Sequence, residues 1–101
     1  MKIQDVISSP LKSKRFRAII VEKGLKRSVD FGSKYAKTYI DGATDIERVN
    51  YIRRHSMNPL EKEIIDDFSQ ITPSLLSRHL LWGEHRSIIK NVDELNQRLR
   101  L

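Results

Sequence analysis

The sequence contains no cysteine, which excludes disulfide bonds, thiolate metal sites and thiol nucleophiles. It has no apolar stretch near the ~18 residues that a membrane-spanning helix requires. Residues 1–7 also lack the apolar run of a signal peptide. We therefore expect neither membrane insertion nor secretion.

Groups that would support catalysis or metal binding are sparse. His55, His79 and His85 are scattered, and no two of them have the i, i+4 spacing of a helical metal site. No Gly-rich loop precedes a Lys-Ser or Lys-Thr pair, so no phosphate-binding loop is predicted. The sequence therefore predicts a non-enzymatic protein with no catalytic residue, no metal ligand and no cofactor.

The charge is unevenly distributed along the chain. Residues 1–27 hold eight basic and two acidic side chains, a balance of +6, whereas residues 28–101 hold eleven of each. A basic region attracts polyanions or acidic protein surfaces, although basic residues on strands also protect sheet edges. The residues predicted to bind nucleic acid or an acidic partner are Lys12, Lys14, Arg15, Arg17, Lys23, Lys26, Arg27, Arg53 and Arg54.

The N-terminal third predicts an arm followed by a hairpin. Residues 1–14 are interpreted as an N-terminal arm, because the Ser-Ser-Pro segment at 8–10 interrupts regular structure. Residues 15–21 and 27–31 alternate apolar and polar side chains, which predicts two strands joined by a turn at the Lys-Gly pair between them. Residues 33–42 fit either a third short strand or an ordered loop.

The rest of the chain has helical periodicity. Thr44 and Glu47 form a capping box, and Asn58-Pro59 and Thr72-Pro73 are typical openings of two further helices. A last amphipathic segment follows Gly83. The side chains predicted to face inward from these segments are Ile46, Val49, Ile52, Leu60, Ile64, Phe68, Leu75, Leu76, His79, Leu80, Ile88, Ile89, Val92, Leu95 and Leu99.

These elements predict a small α+β fold. Residues 15–101 are expected to form a single α+β domain, in which an N-terminal basic β-hairpin of two or three strands packs on three or four short helices. The residues expected to meet in one core are Ile20, Phe31, Ile64, Phe68, Leu76 and Leu80.

Trp82, at the end of the third helical segment, has two interpretations. It is either a core anchor, because tryptophan is usually mostly buried, or an interface anchor, because Trp and Arg dominate binding hot spots. The predicted interaction patch consists of Arg48, Arg54, His55, Arg78 and Trp82. Its clustered cations require an anion, supplied either by an internal carboxylate, that of Asp30, Asp41 or Asp45, or by a partner.

Several short motifs resemble a viral family. The motifs are Phe31-Gly32, Tyr39, Asp45-x-Glu47-Arg48-x-x-Tyr51-Ile52-x-Arg54-His55 and Ser77-Arg78-x-Leu80-Leu81-Trp82. Together they resemble an uncharacterised family of small basic proteins from large double-stranded DNA viruses of algae and protists. The chain departs from the family pattern at residues 33–34, 79 and 83–85. The resemblance implies a virion or an infected host cell, in its cytoplasm or nucleus, and no assigned activity.

Two functions fit these observations. The preferred hypothesis is a structural interaction protein, a minor capsid-associated protein of the virion that binds other virion proteins or acidic protein surfaces and is able to form oligomers. The alternative is sequence-nonspecific nucleic-acid binding through the basic N-terminal face, with an affinity that falls as salt rises. A basic face suits both, because phosphates and carboxylates are both anionic.

Overall fold

The N-terminal third of the chain is a three-stranded antiparallel sheet. In a computed structural model, which describes residues 1–100, β1 (Lys2–Ser8), β2 (Lys14–Glu22) and β3 (Leu25–Ser33) pair in the order β1-β2-β3. Lys23 and Gly24 both have positive φ, 53° and 78°, which suits a tight hairpin turn between right-handed twisted strands. The two predicted strands and their turn are confirmed.

The predicted N-terminal arm is wrong, because β1 belongs to the sheet. It pairs antiparallel with β2 and has a register shift between Ile3 and Asp5. The side-chain amide of Asn96 accepts a hydrogen bond from the Ile3 amide (2.8 Å) and donates one to the Ile3 carbonyl (3.0 Å). The register shift breaks the two-residue alternation by which a strand is recognised, so the pattern did not indicate a strand.

Four helices follow the sheet. They are α1 (Asp45–Ser56), α2 (Pro59–Asp66), α3 (Pro73–Leu76), which continues as a π-turn (Ser77–Leu81), and α4 (Ile88–Arg98). A short 3₁₀ turn (Tyr39–Asp41) occupies the segment for which a third strand or a loop was predicted. This arrangement confirms the α+β class. Within residues 1–100, no helix is both long and apolar enough to cross a membrane.

Side-chain caps fix where these helices begin. Thr44 accepts a hydrogen bond from the Glu47 amide, and the Glu47 carboxylate accepts one from the Thr44 amide, as the capping box predicts. The side chains of Asn58 and Thr72 accept hydrogen bonds from first-turn amides of α2 and α3, without a reciprocal bond, and each is followed by proline at the first helical position. All three predicted helix starts are therefore confirmed.

The core lies between the inner face of the sheet and the helices. The fully buried side chains include Ala18, Ile20 and Phe31 from the sheet and Leu75, Leu76, Leu80, Leu81 and Leu95 from the helices. Four of the six residues expected in the core, Ile20, Phe31, Leu76 and Leu80, are buried there. Phe68 is half-buried against them, whereas Ile64 is 44% exposed.

Helices α1 and α2 present different faces from those predicted. On α1, Ile46 and Val49 are 74% and 49% exposed, and the half-buried Arg48 and Tyr51 face the body instead. The predicted inward stripe of α2 is likewise wrong, because Leu60 and Ile64 are exposed and Ile65 is buried. The predicted inward Ile89 of α4 is also exposed. A few apolar residues at helical spacing indicate a candidate inward face, but packing against neighbouring elements determines which face is buried.

The reversal between the π-turn and α4 is built around one buried amide. Asn91, 1% exposed, donates hydrogen bonds to the carbonyls of Leu80 (3.0 Å) and His85 (2.8 Å) and accepts one from the His85 amide (3.0 Å). A Cβ at Gly83 would lie 2.3 Å from the His79 carbonyl oxygen and 2.7 Å from the Asn91 side chain. Glycine is therefore required at this close approach.

His79 should make stability depend on pH. Its Nε2 lies 2.8 Å from the Ile65 carbonyl oxygen, and burial lowers the pKa of this imidazole below the usual 6.5. The unfolded chain then binds a proton that the folded chain excludes. We expect the free energy of unfolding to fall as the pH is lowered from 6.5 towards the depressed pKa. Urea denaturation above about pH 5, where carboxylates stay ionised, measures this slope.

A His79→Gln variant is the control for this slope. Its amide can still donate to the Ile65 carbonyl but does not titrate. We expect the variant to lose most of the pH dependence in this range. An unchanged slope would show that other groups cause it.

Candidate binding site

Two of the nine predicted basic residues are neutralised inside the protein. On β2, Arg15 forms a two-pronged ion pair with Asp41, and Arg17 pairs with Asp30 on β3 at 3.0 and 3.1 Å. The guanidinium groups hold the pKa of both carboxyl groups below the usual range. These two arginines therefore contribute little free positive charge.

The other seven basic residues are not in ion pairs within residues 1–100. They are Lys12, Lys14, Lys23, Lys26, Arg27, Arg53 and Arg54. Lys23, Lys26 and Arg27 lie at or beside the hairpin tip, whereas Lys12 and Lys14 lie at the other end of β2. These ends are about 30 Å apart, because each strand residue rises about 3.3 Å. The predicted basic face is thus divided into two separate regions.

Part of the predicted interaction patch comes together around one carbonyl group. Arg48 Nε lies 3.2 Å from the Trp82 carbonyl oxygen and 2.9 Å from that of Gly83, and Arg78 donates to the Trp82 oxygen at 3.0 Å. Burial, and then the charge of Arg48, lowers the pKa of Arg78. The two arginines satisfy carbonyls at the end of the π-turn, where cations are favourable.

Aromatic stacking joins His55 to this cluster. The Tyr51 ring lies between that of Trp82, stacked at 4.4 Å and 8°, and that of His55, tilted at 4.1 Å. Trp82 is only 8% exposed, so it is a core anchor that packs against the patch. Arg54 is exposed and in no ion pair of the described chain.

The predicted internal carboxylates are used elsewhere. Asp30 and Asp41 hold Arg17 and Arg15, and Asp45 accepts a hydrogen bond from the Tyr39 hydroxyl at 2.7 Å. In residues 1–100, neither arginine of the Trp82 carbonyl cluster forms a salt bridge. The charge of this cluster is therefore balanced only by backbone dipoles and by more distant carboxylates.

Beside this cluster lies a cleft of about 260 Å³ at one end of the sheet. Strands β2 and β3 form one wall, and α1, α2 and α3 form the others. We call it the sheet-end cleft; its polar lining residues are Lys14, Ser33, Tyr51, His55, Glu61, Ser74 and Ser77. Only Lys14 and His55 of these were predicted site residues.

The sequence indicated only some of the remaining lining residues. Glu61 belongs to a helix rich in carboxylates, which is typical of a solvated face, but its own carboxylate contacts His55 Nδ1. Ser33 and Ser74 occur in no recognisable motif, and isolated serines are common on protein surfaces. Two motifs did include lining residues: Tyr-Ile-x-Arg-His contains Tyr51 and His55, and Ser-Arg-x-Leu-Leu-Trp contains Ser77.

The cleft has the chemistry of a binding site for an anionic group. It combines an ammonium group with several hydroxyl donors, and its single carboxylate is already held by an imidazole. Burial raises the pKa of Tyr51 to about 12, so its hydroxyl stays protonated and able to donate. No group of three His, Cys, Asp or Glu side chains in the described part of the chain is arranged to hold a metal ion.

Comparison with known proteins identifies one family. A family described as "Family of unknown function (DUF5754)" matches residues 5–55, which is half of the chain, and the chain belongs to it. The match covers the sheet apart from the first three residues of β1, the 3₁₀ turn and nearly all of α1. No curated protein and no solved structure matches.

Proposed function

We propose that this member of the DUF5754 family is a non-enzymatic interaction protein that binds an acidic protein surface. In the viral setting that its motifs imply, it is a minor virion protein lying against other virion proteins. Its positive charge attracts the partner at long range, and apolar contacts supply the affinity. The partner is accordingly a protein surface with acidic residues around an apolar centre.

The observation that carries the proposal is the exposed apolar face of α1. Ile46 and Val49, three residues apart and thus neighbours on the helix, are 74% and 49% exposed. Arg53, four residues after Val49, is exposed close to that face and in no ion pair within residues 1–100. An exposed apolar stripe bordered by an unpaired cation is typical of a surface that binds an acidic protein.

Charge distribution supports a protein partner over a nucleic acid. A duplex presents closely spaced phosphates and is best matched by a continuous row of cations. Here five of the seven unpaired predicted cations are divided between two regions about 30 Å apart along β2, and the other two, Arg53 and Arg54, lie on α1. Nucleic-acid binding therefore remains the second candidate.

Replacing the α1 stripe tests the proposal. We expect Ile46→Asp with Val49→Asp to abolish association with purified particles of the source virus. Folding should change by less than about 1 kcal/mol, because both side chains are largely exposed. Mass spectrometry of the particles measures copy number, and co-sedimentation measures binding of the added protein.

Ile89→Asp is the matched control, since Ile89 is 72% exposed but on α4. This control should bind like the original protein. Absence of the protein from particles, or equal binding by the α1 variant, would contradict the virion role.

Measuring DNA binding over a range of salt concentrations tests the second candidate function, nucleic-acid binding. We expect DNA association to be weak at physiological salt and equal for duplexes of unrelated sequence. If DNA contacts the hairpin tip, replacing Lys23, Lys26 and Arg27 by alanine should reduce the salt slope by up to about three. The Arg15→Ala, Arg17→Ala double variant should change it less, because both arginines are already paired. Tight binding to one DNA sequence at high salt would overturn both candidates.

A further inference from the structure

We propose that the sheet-end cleft receives one oxyanion group, a phosphate monoester or a carboxylate, carried by a side chain of the acidic protein partner. This inference rests on the proposed function and adds to it a second docking point and the chemistry of its ligand.

Charge favours an anion in this cleft. Lys14 lines it from β2 and is in no ion pair within residues 1–100. Arg54 and Arg78 do not line the cleft, but their charges act on Tyr51, which does. The one carboxylate of the lining, that of Glu61, contacts His55. An entering anion therefore meets the ammonium group of Lys14 and a carboxylate that already has a partner.

Hydrogen-bond donors are also available. The side-chain hydroxyls of Tyr51, Ser74 and Ser77 form no hydrogen bonds within the described chain. The Ser33 oxygen accepts a hydrogen bond from the Tyr35 amide at 3.3 Å, which leaves its own hydrogen free. Oxyanions accept several such bonds, and bonds to charged acceptors are the stronger ones.

The size of the cleft points to a single group on a side chain. A volume of about 260 Å³ is slightly below the range of sites for drug-sized ligands. It is open on one side, and Pro73 and Ile65 supply apolar contacts for the stem that carries the anion. A nucleic-acid backbone would need further cations in line, and the hairpin-tip cations are too distant to provide them.

Trp82 provides a direct measurement of this binding. It is the only tryptophan in the chain and stacks on Tyr51, which lines the cleft. The full chain is titrated with an acidic peptide containing one phosphoserine, while Trp82 fluorescence is recorded. The same peptide with serine or glutamate at that position, inorganic phosphate alone, and a duplex DNA are the comparison probes.

We expect saturable binding of the phosphopeptide, about ten-fold weaker binding of the glutamate peptide, and weaker binding still of the serine peptide. Lys14→Gln should weaken the binding of the phosphopeptide by about ten-fold or more. Ser77→Ala should weaken it less, and Lys90→Gln, at an exposed position on α4 outside the cleft lining, should not change it. Amide NMR shifts at Tyr51, Ser74 and Ser77 locate the contact independently.

Several outcomes would overturn the inference. Equal binding by Lys14→Gln, equal affinity for the serine and phosphoserine peptides, or shifts confined to the hairpin tip would place the anion elsewhere. Saturation by inorganic phosphate with no gain from the peptide would show a free-phosphate site instead of a docking point. Preference for DNA would reassign the cleft to nucleic acid. Particle association through α1 is measured separately, so this inference can fail while the proposed function stands.

Discussion

Replacing Phe31 by alanine is expected to destabilise the protein by about 3–5 kcal/mol, a large part of the stability of a small domain. Phe31 is fully buried, and its ring lies 5.8 Å from that of Phe16 on the neighbouring strand. Removing the ring loses its transfer free energy and leaves a cavity between sheet and helices, where Leu75 and Leu80 are also fully buried. Urea denaturation followed by Trp82 fluorescence measures the loss.

Leu25→Ala is the control for this prediction, because Leu25 lies on the same strand but is 76% exposed. It should change the free energy of unfolding by no more than about 0.5 kcal/mol. Phe68→Ala should fall between the two, since Phe68 is only half-buried. A Phe31→Ala variant that unfolds at the same urea concentration as the original protein would show that the core is elsewhere.

Replacing Asn91 by alanine should cost about 2–4 kcal/mol, although alanine is the better helix former. The change leaves two carbonyls and one amide of the reversal after the π-turn without their partner. The unpaired Leu80 carbonyl should account for most of the lost stability, because water has little access to it. Thermal and urea unfolding measure the loss, and hydrogen exchange of the His85 amide should accelerate.

Asn50→Ala is the matched control, because Asn50 is exposed on α1. It should be neutral or slightly stabilising, as helix propensity alone dictates. If Asn91→Ala is equally harmless, the reversal is held by packing alone and the hydrogen bonds of this amide are dispensable.

Helix α1 buries a different face from the one that its apolar spacing indicated. The spacing of Ile46, Val49 and Ile52 indicated an inward stripe, yet Ile46 and Val49 are exposed. The opposite face places Tyr51 against Trp82 and brings Arg48 to the carbonyls at the end of the π-turn. Stacking and carbonyl capping depend on elements more than thirty residues away, so the local pattern carried no information about them.

The sequence by itself determined the local elements of this protein. Capping residues and prolines set the helix starts, the Lys-Gly pair set the hairpin turn, and alternation set β2 and β3, because each signal acts between residues close in the chain. Only the tertiary structure decided the rest. It paired β1 with β2, neutralised Arg15 and Arg17 with Asp41 and Asp30, and enclosed the cleft beside Lys14 and His55. These contacts form between residues that are distant in sequence. The free energy of each contact depends on which surfaces are buried together.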